Sequence, residues 1–104
     1  MKGLDIHMVT IDKIFHASVV LKSIIRPTPL VKTAGIAPQC ELYLKPENLQ
    51  YTGSFKLRGS GYKISQLSAQ ERAKGVIACS AGNHALAASK YGIQIGRASC
   101  RERV

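Results

Sequence analysis

A lysine between glycine and small hydroxyl residues is the first feature of this sequence that could do chemistry. Lys56 lies in TGSFKLRG (residues 52–59), directly after Phe55 and two residues before Arg58. A catalytic lysine must be held by packing and must spend time deprotonated, which burial or a neighbouring cation promotes. Phe55 offers an aromatic wall, Arg58 offers a cation, and the flanking glycines let backbone approach a ligand closely. On spacing alone, an exposed lysine at the start of a helix is an equally good interpretation.

A second small-residue segment, SAGNH (residues 80–84), follows an apolar run and precedes an alanine-rich stretch. In open α/β sheets, ligands bind outside the carboxyl ends of the strands, where helix N-termini favour anions. Ser80, Asn83 and His84 add side-chain donors to the free backbone N–H groups. The segment therefore predicts a cradle for a carboxylate. The alternative is a helix N-cap, Ser80 or Asn83, with an ordinary histidine in the first turn.

Together the two segments are much more specific than either alone. KPENLQYTGSFKLRG (45–59) followed by GVIACSAGNHA (75–85) resembles the N-terminal part of threonine dehydratase, also called threonine ammonia-lyase. That family belongs to the fold-type II pyridoxal-phosphate enzymes, with serine dehydratase and serine racemase as relatives. RPTPL (26–30) matches the segment leading into that core, and the resemblance runs over residues 24–93.

The resemblance implies a role for each matching residue. Lys56 is similar to the lysine that holds pyridoxal 5′-phosphate through its amine, and Phe55 to the residue that packs beside the cofactor ring. Asn83 matches the asparagine that hydrogen-bonds the cofactor 3′-hydroxyl. The residues expected around the substrate carboxylate are Ser54, Ser80, Gly82, Asn83 and His84.

The reaction that the resemblance implies is β-elimination of a small amino-acid substrate. The substrate amine displaces Lys56 from the cofactor, the freed lysine amine takes the α-proton, and the developing carbanion is delocalised into the cofactor ring. Loss of the β-hydroxyl and hydrolysis give a 2-oxo acid and ammonia. Threonine gives 2-oxobutanoate, as in isoleucine biosynthesis, and serine gives pyruvate.

Other interpretations stay open at this point. Serine dehydratase, serine racemase and threonine synthase belong to the same fold group. Cysteine synthases carry a Ser-x-Lys-Asp-Arg pattern at the lysine, so FKLRG (55–59) favours the dehydratases. A different class is a non-catalytic module that binds anions through the 80–84 loop.

The sequence departs from the family pattern after His84. HALAASKYGI (84–93) is about four residues shorter than the family's helix, roughly one turn, which nearly preserves the helix face. The family's glycine-rich phosphate loop, the partner of the pyridine nitrogen and the remaining strands lie further along than this chain reaches. We therefore expect that the chain alone neither holds the cofactor tightly nor turns over threonine, whereas the full-length parent is a homo-oligomeric enzyme.

Helical and extended patterns must position these residues. Apolar spacing predicts a helix over residues 11–25, capped by Thr10 or Asp12 and ended by the prolines of RPTPL. CELYLKPE (40–47) alternates as a short strand does and stops at its proline. A helix follows the lysine, although Gly59 and Gly61 weaken it.

Further along, Ser68 and Glu71 have the spacing of a capping box, so a short helix begins there and ends at Gly75. VIAC (76–79) is typical of a buried parallel strand, and the helix after SAGNH can end at Gly92. This order predicts an α/β fold with parallel strands and flanking helices. It corresponds to an incomplete fragment of a fold-type II, tryptophan synthase β-like enzyme.

Composition sets the broad class. The chain has 104 residues with 45% hydrophobic and 20% charged content, which is globular. The net charge of +9 comes from scattered residues without a zinc-finger or RNP motif. Solvated surface charge is therefore preferred over nucleic-acid binding. No apolar run approaches the roughly 20 residues of a membrane span, and the N-terminus lacks a secretory signal pattern. Three widely spaced cysteines without metal-ligand spacing predict free thiols, no metal site and a cytoplasmic protein.

The last ten residues, IGRASCRERV (95–104), form an abrupt basic tail without periodicity. They match the translation of a common sequencing-adapter oligonucleotide in one reading frame. We therefore expect that residues 1–94 are the N-terminal fragment of a pyridoxal-phosphate-dependent catalytic domain. Residues 95–104 would then be an artefactual tail, the alternative being a natural basic tail.

Overall fold

The computed structural model describes residues 7–80, 82–94 and 99–102. Within them the chain alternates helices and short strands. In chain order these are α1 (Ile11–Leu21), β1 (Val31–Thr33), β2 (Leu42–Leu44), a 3-10 turn (Glu47–Leu49), α2 (Lys56–Ser65), α3 (Ala69–Lys74), β3 (Val76–Cys79), α4 (Asn83–Gln94) and β4 (Ser99–Glu102).

Helix α1 begins where the sequence predicts, with Thr10 as an extended N-cap residue at φ −123° and ψ 164°. It ends at Leu21, four residues before the predicted end. The backbone N–H groups of Ile24 and Ile25 both donate to the Leu21 carbonyl, at 2.9 and 3.0 Å. This turn gives the Leu21 carbonyl, at the end of the helix, its hydrogen-bond donors. Pro27 then disfavours helical backbone at the residue before it.

The predicted strand at 40–47 is confined to β2, and its expected place in a parallel sheet is wrong. β2 pairs antiparallel with β1, a strand that the sequence pattern does not predict, in the register Val31 with Leu44 and Thr33 with Leu42. The connection between the two strands is short and includes Gly35 at φ +86°. A connection of this length suits an antiparallel pair, because parallel strands need a crossover of a dozen or more residues.

Helix α2 contains both glycines that weaken its sequence pattern. Packing explains the glycine at position 61, because an added Cβ would lie 2.7 Å from the Cγ2 methyl of Ile24. The missing side chain lets the turn after α1 approach the helix closely. Ile24 thereby joins Leu21, Leu57 and Ala87 in one buried apolar cluster.

The predicted capping box of α3 is confirmed. The Ser68 hydroxyl accepts the Glu71 N–H at 3.1 Å, and the Glu71 carboxylate accepts the Ser68 N–H at 2.9 Å. Gly75, at φ +82°, ends the helix as predicted and turns the chain into β3. A positive φ of this size is readily adopted by glycine alone.

Strand β3 coincides with the predicted VIAC segment and pairs parallel with β4, from Val76 with Ser99 to Cys79 with Glu102. β4 lies in the segment predicted to be an artefactual tail. Only Ala78 of β3 is buried, and Ile77 is 75% exposed. Among the described residues, the strands form two separate two-stranded sheets rather than one parallel sheet.

Helix α4 begins directly after the SAGNH loop and runs to Gln94, so Gly92 does not end it as predicted. A glycine in a helix interior costs only about 1 kcal/mol relative to alanine. Ala85, Ala87 and Ala88 are almost completely buried, and their small side chains let α4 pack closely against α2 and β3. No helix in the described part of the chain has both the length and the apolar character needed to cross a bilayer.

Candidate functional site

The lysine loop, residues 53–56, lies at the surface of the fold. Lys56 is the first residue of α2, and its backbone N–H donates to the Ser54 hydroxyl at 3.3 Å. Its Nζ lies 4.9 Å from the centroid of the Phe55 ring, a distance at which an ammonium group is attracted to an aromatic face. Both side chains are exposed. Gly53 forms the preceding turn at φ +78° with open space around its Cα.

Arg58 does not act as the cation beside Lys56 that the sequence predicts. Its Nε donates to the Glu47 carboxylate, and its terminal amino group donates to the Thr28 hydroxyl at 3.4 Å. Hydrogen bonding to Arg58 lowers the pKa of Glu47 below its usual value, with smaller contributions from Thr28 and Gln50. The guanidinium is therefore held by a partly buried carboxylate and ties α2 to the two segments before it, instead of serving Lys56.

Gln50, shortly before the lysine loop, has a buried side chain that bonds the backbone of an earlier segment. Its side chain is 4% exposed. Its Oε1 accepts the Arg26 N–H at 2.8 Å, and its Nε2 donates to the Arg26 carbonyl at 2.9 Å. One side-chain amide thus satisfies both backbone groups of a residue 24 positions earlier. Next to it, Tyr51 has the Arg26 guanidinium 4.6 Å and the Lys90 ammonium 5.0 Å from its ring centroid.

The 80–84 loop connects the carboxyl end of β3 to α4. The Ser80 hydroxyl accepts the Gly82 N–H at 3.2 Å, which folds the loop back on itself. Helix α4 then begins at Asn83, and the Leu86 N–H reaches the Gly82 carbonyl at 3.1 Å. Gly82, Asn83 and His84 are exposed. Helix geometry leaves the first backbone N–H groups of α4 without intrahelical acceptors, so this end of the helix suits an anion.

Ser60 links the two motifs. Its hydroxyl lies 3.2 Å from Nδ1 of His84, and its side chain is buried, with 5% exposed. Ser60 follows Lys56 by four residues, so both lie on one face of α2, about 6 Å apart along its axis. The contact therefore brings the 80–84 loop within about one helical turn of the lysine. Ser60 and His84 also line a cleft of about 380 Å³ whose other walls are mostly apolar side chains of α2, β3 and α4.

Sequence reasoning missed Ser60, Gln50 and Glu47. The spacing of Ser60 from Lys56 puts it on the lysine face of α2, but its partner belongs to a helix 24 residues later. Gln50 and Glu47 had no local signal, since a glutamine or glutamate after a strand is ordinarily solvated. Their roles depend on contacts with residues 11 or more positions away.

These residues fit a cofactor with an aldehyde and a flat aromatic ring. An exposed lysine amine, an exposed aromatic ring beside it and an exposed amide at the start of α4 supply the groups that would contact such a molecule. Lys56 would hold it covalently, Phe55 would pack beside its ring, and Asn83 would donate to its oxygen. The glycines at 53 and 82 leave room, because an added Cβ would meet no atom within 4 Å at either position.

Comparison with known proteins identifies the family of the chain. Residues 21–100 match the model of the pyridoxal-phosphate dependent enzyme family. The catabolic L-threonine dehydratase TdcB of Staphylococcus aureus (strain N315) is 46% identical in an alignment of 82 residues that covers 76% of this chain and 24% of that protein. The L-threonine ammonia-lyase of Thermotoga maritima (strain ATCC 43589) is 47% identical in an alignment of 92 residues that covers 83% of this chain and 23% of that protein. The chain therefore spans about a quarter of the length of these curated relatives.

Solved structures share the fold. The serine racemase of Dictyostelium discoideum superposes with a TM-score of 0.82 at 38% identity, over 88% of this chain and 30% of that one. It is a fold-type II enzyme, which confirms the fold group but not a single parallel sheet. Since the family model covers most of the sequence, this chain belongs to the family of pyridoxal-phosphate dependent enzymes, whose cofactor is pyridoxal 5′-phosphate.

Proposed function

We propose that the longer protein containing this chain is a threonine ammonia-lyase. It removes ammonia from L-threonine to give 2-oxobutanoate, with L-serine, which gives pyruvate, as the second substrate. The β-hydroxyl leaves as water and one water is taken up again on hydrolysis, so the net products are the 2-oxo acid and ammonia. The similarity to proteins named threonine dehydratase and threonine ammonia-lyase supports this choice.

Each residue then has a defined task. Lys56 would hold the cofactor through Nζ, and the same nitrogen, when free, would accept the α-proton of the substrate. Ser54, Ser80, Gly82, Asn83 and His84 surround the substrate carboxylate, with Asn83 also donating to the cofactor. When bound, pyridoxal phosphate would supply an electron sink for the charge that develops at the α-carbon.

The observation that carries the proposal is the contact between Ser60 and His84. It joins the helix that begins at Lys56 to the loop expected to hold the carboxylate. The α-carbon of the substrate must lie about 2.6–3.2 Å from the Lys56 nitrogen for that nitrogen to take its proton. The carboxylate on the same carbon must at the same time reach the 80–84 loop.

The test uses the full-length gene recovered from the source DNA. With added pyridoxal phosphate, the protein should gain a visible absorbance band at the blue edge of the spectrum, and Lys56→Ala should lose it. Borohydride reduction followed by peptide mass spectrometry should locate the cofactor on Lys56. Lys63→Ala, a second lysine on α2, is the matched control and should keep the band. A band that survives Lys56→Ala would contradict the assignment.

A serine racemase is the second candidate, because serine racemase structures superpose well on this chain. The two activities are separated by product analysis with L-serine. A lyase forms pyruvate and ammonia in equal amounts, whereas a racemase forms D-serine without ammonia. Release of D-serine as the main product would replace the lyase proposal.

We also propose that residues 95–104 are adapter-derived and that the natural sequence departs after residue 94. The pairing of β4 with β3 is compatible with this origin, because ladder hydrogen bonds join backbone groups whatever the side chains are. A genomic clone that encodes these ten residues within a longer gene would exclude it. The proposed setting of the parent is a homo-oligomer in the cytoplasm, and the free, exposed thiols of Cys40 and Cys79 suit a reducing compartment.

A further inference from the structure

The hydroxyl of Ser60 is a buried polar group with an exposed partner. Serine hydroxyls inside helices commonly bond a backbone carbonyl of the preceding turn. Ser65, later in α2, does so and donates to the Tyr62 carbonyl at 2.6 Å. Ser60 instead lies 3.2 Å from Nδ1 of His84 on another helix. This contact pairs no backbone group of either helix. It therefore acts on the imidazole ring of His84.

A neutral imidazole has one nitrogen that donates and one that accepts, and the partner of one nitrogen determines the role of the other. With Nδ1 against Ser60, Nε2 is the nitrogen left for a ligand. A carboxylate can only accept hydrogen bonds. For Nε2 to bind it, that nitrogen must carry the proton, so Nδ1 must accept and the Ser60 hydroxyl must donate.

We propose that Ser60 is a positioning residue that holds His84 in the Nε2–H tautomer, ready to donate to the carboxylate of the amino-acid substrate. The substrate role rests on the proposed function. The direction of the hydrogen bond also follows without it, because the Ser60 hydroxyl is buried and makes no other hydrogen bond within the described part of the chain, so its proton is paired only by donating to Nδ1. Ser60 touches neither cofactor nor substrate in this account and acts through His84.

The first test measures the tautomer directly in the 104-residue chain. Two-bond proton–nitrogen correlation spectra of histidine-labelled protein at alkaline pH distinguish the two neutral forms, with His7 and His16 as references in the same spectrum. Ser60→Ala should raise the ratio of Nδ1–H to Nε2–H at His84 about fivefold, the equivalent of one neutral hydrogen bond. Ser65→Ala is the matched control and should leave the ratio unchanged.

An isosteric pair guards against a packing effect. Ser60→Thr keeps the hydroxyl and should retain the wild-type ratio. Ser60→Val has the shape of threonine without the hydroxyl and should behave like Ser60→Ala. The proposal is overturned if neither the alanine nor the valine variant changes the His84 spectrum, or if threonine and valine give the same result.

The second test uses the full-length enzyme loaded with cofactor. Ser60→Ala should raise the KM for threonine about fivefold while kcat and the cofactor absorbance band stay near wild type. An equal loss in kcat with unchanged KM would overturn the carboxylate role. If the wild-type enzyme forms no band and no 2-oxo acid, the proposed function fails while the tautomer result stands, so the two failures are distinguishable.

Discussion

Replacing Gly61 with alanine should destabilise the fold through a single methyl contact. The added Cβ would lie 2.7 Å from the Cγ2 atom of Ile24, which is 5% exposed and belongs to the larger buried cluster. Alanine is favoured over glycine in a helix interior by roughly 0.5–1 kcal/mol, whereas an extra carbon forced into a packed core costs about 1–3 kcal/mol. At the middle of both ranges, about 2 kcal/mol against about 0.75 kcal/mol, the clash outweighs the helix preference.

Gly59 provides the matched control, because it lies in the same helix with nothing within 4 Å of an added Cβ. Gly59→Ala should raise the free energy of unfolding by roughly 0.5–1 kcal/mol. The two variants share the helix term, so the difference between them isolates the overpacking cost of about 1–3 kcal/mol. Urea unfolding followed by circular dichroism measures both.

A second substitution identifies the atom responsible. Ile24→Leu keeps the side-chain volume but moves the branch by one carbon, which removes Cγ2. In the Ile24→Leu background, the Gly61→Ala penalty should fall markedly. The reasoning is refuted if Gly61→Ala is as stable as Gly59→Ala, or if Ile24→Leu leaves its penalty unchanged.

Three further predictions concern the segments before α2 and the chain itself. Gln50→Ala should lower the free energy of unfolding by roughly 2 kcal/mol, because it leaves two backbone groups of Arg26 without their partner; Gln66→Ala, at an exposed amide, should change it little in the same urea titration. Glu47→Gln should cost about 2 kcal/mol at neutral pH. The pKa of Glu47 is lowered in the folded state, so its contribution is complete above the ordinary value of 4.5 and is lost as pH falls through the folded pKa. Wild type should consequently lose more stability than Glu47→Gln on acidification, whereas Glu41→Gln, at an exposed pair with Lys32, should follow wild type; parallel acid titrations of Glu47→Gln and wild type would count against this prediction. The 104-residue chain mixed with pyridoxal phosphate and threonine should form no 2-oxo acid and no band that survives gel filtration, and turnover by the isolated chain would show that the absent segments are dispensable.

Local signals in the sequence predicted the elements whose causes are local. The capping box at Ser68, the start of α1 and the VIAC strand depend on residues within a few positions of each other, and all three are confirmed. The predicted burial of the VIAC strand is wrong except at Ala78, because burial depends on what packs over the strand rather than on its own sequence. The antiparallel pairing of β2 with β1 was missed because Val31–Thr33 is too short and too polar to give a period-two pattern. Gly92 was expected to end α4, but a helix end depends on the energy of the next turn as well as on glycine preference.

The site was predicted only in part for the same reason. The two motifs could be recognised from residue types and resemblance, whereas the connections between them could not. Arg58 lies two residues from Lys56 along the chain, yet it forms its ion pair with Glu47. Ser60 and His84 meet because alanines on α4 allow it to lie close to α2, and that distance is a property of packing between helices.

The Gln50 amide has a consequence for hydrogen exchange. Arg26 lies in neither a helix nor a strand, and a backbone amide in such a segment usually exchanges with solvent quickly. Because its N–H donates to the buried Gln50 oxygen, exchange at this position requires the glutamine side chain to leave its place. Gln50 immediately precedes the YTGSF turn, so the exchange rate of one amide in the segment after α1 should report how often the support of the lysine loop opens.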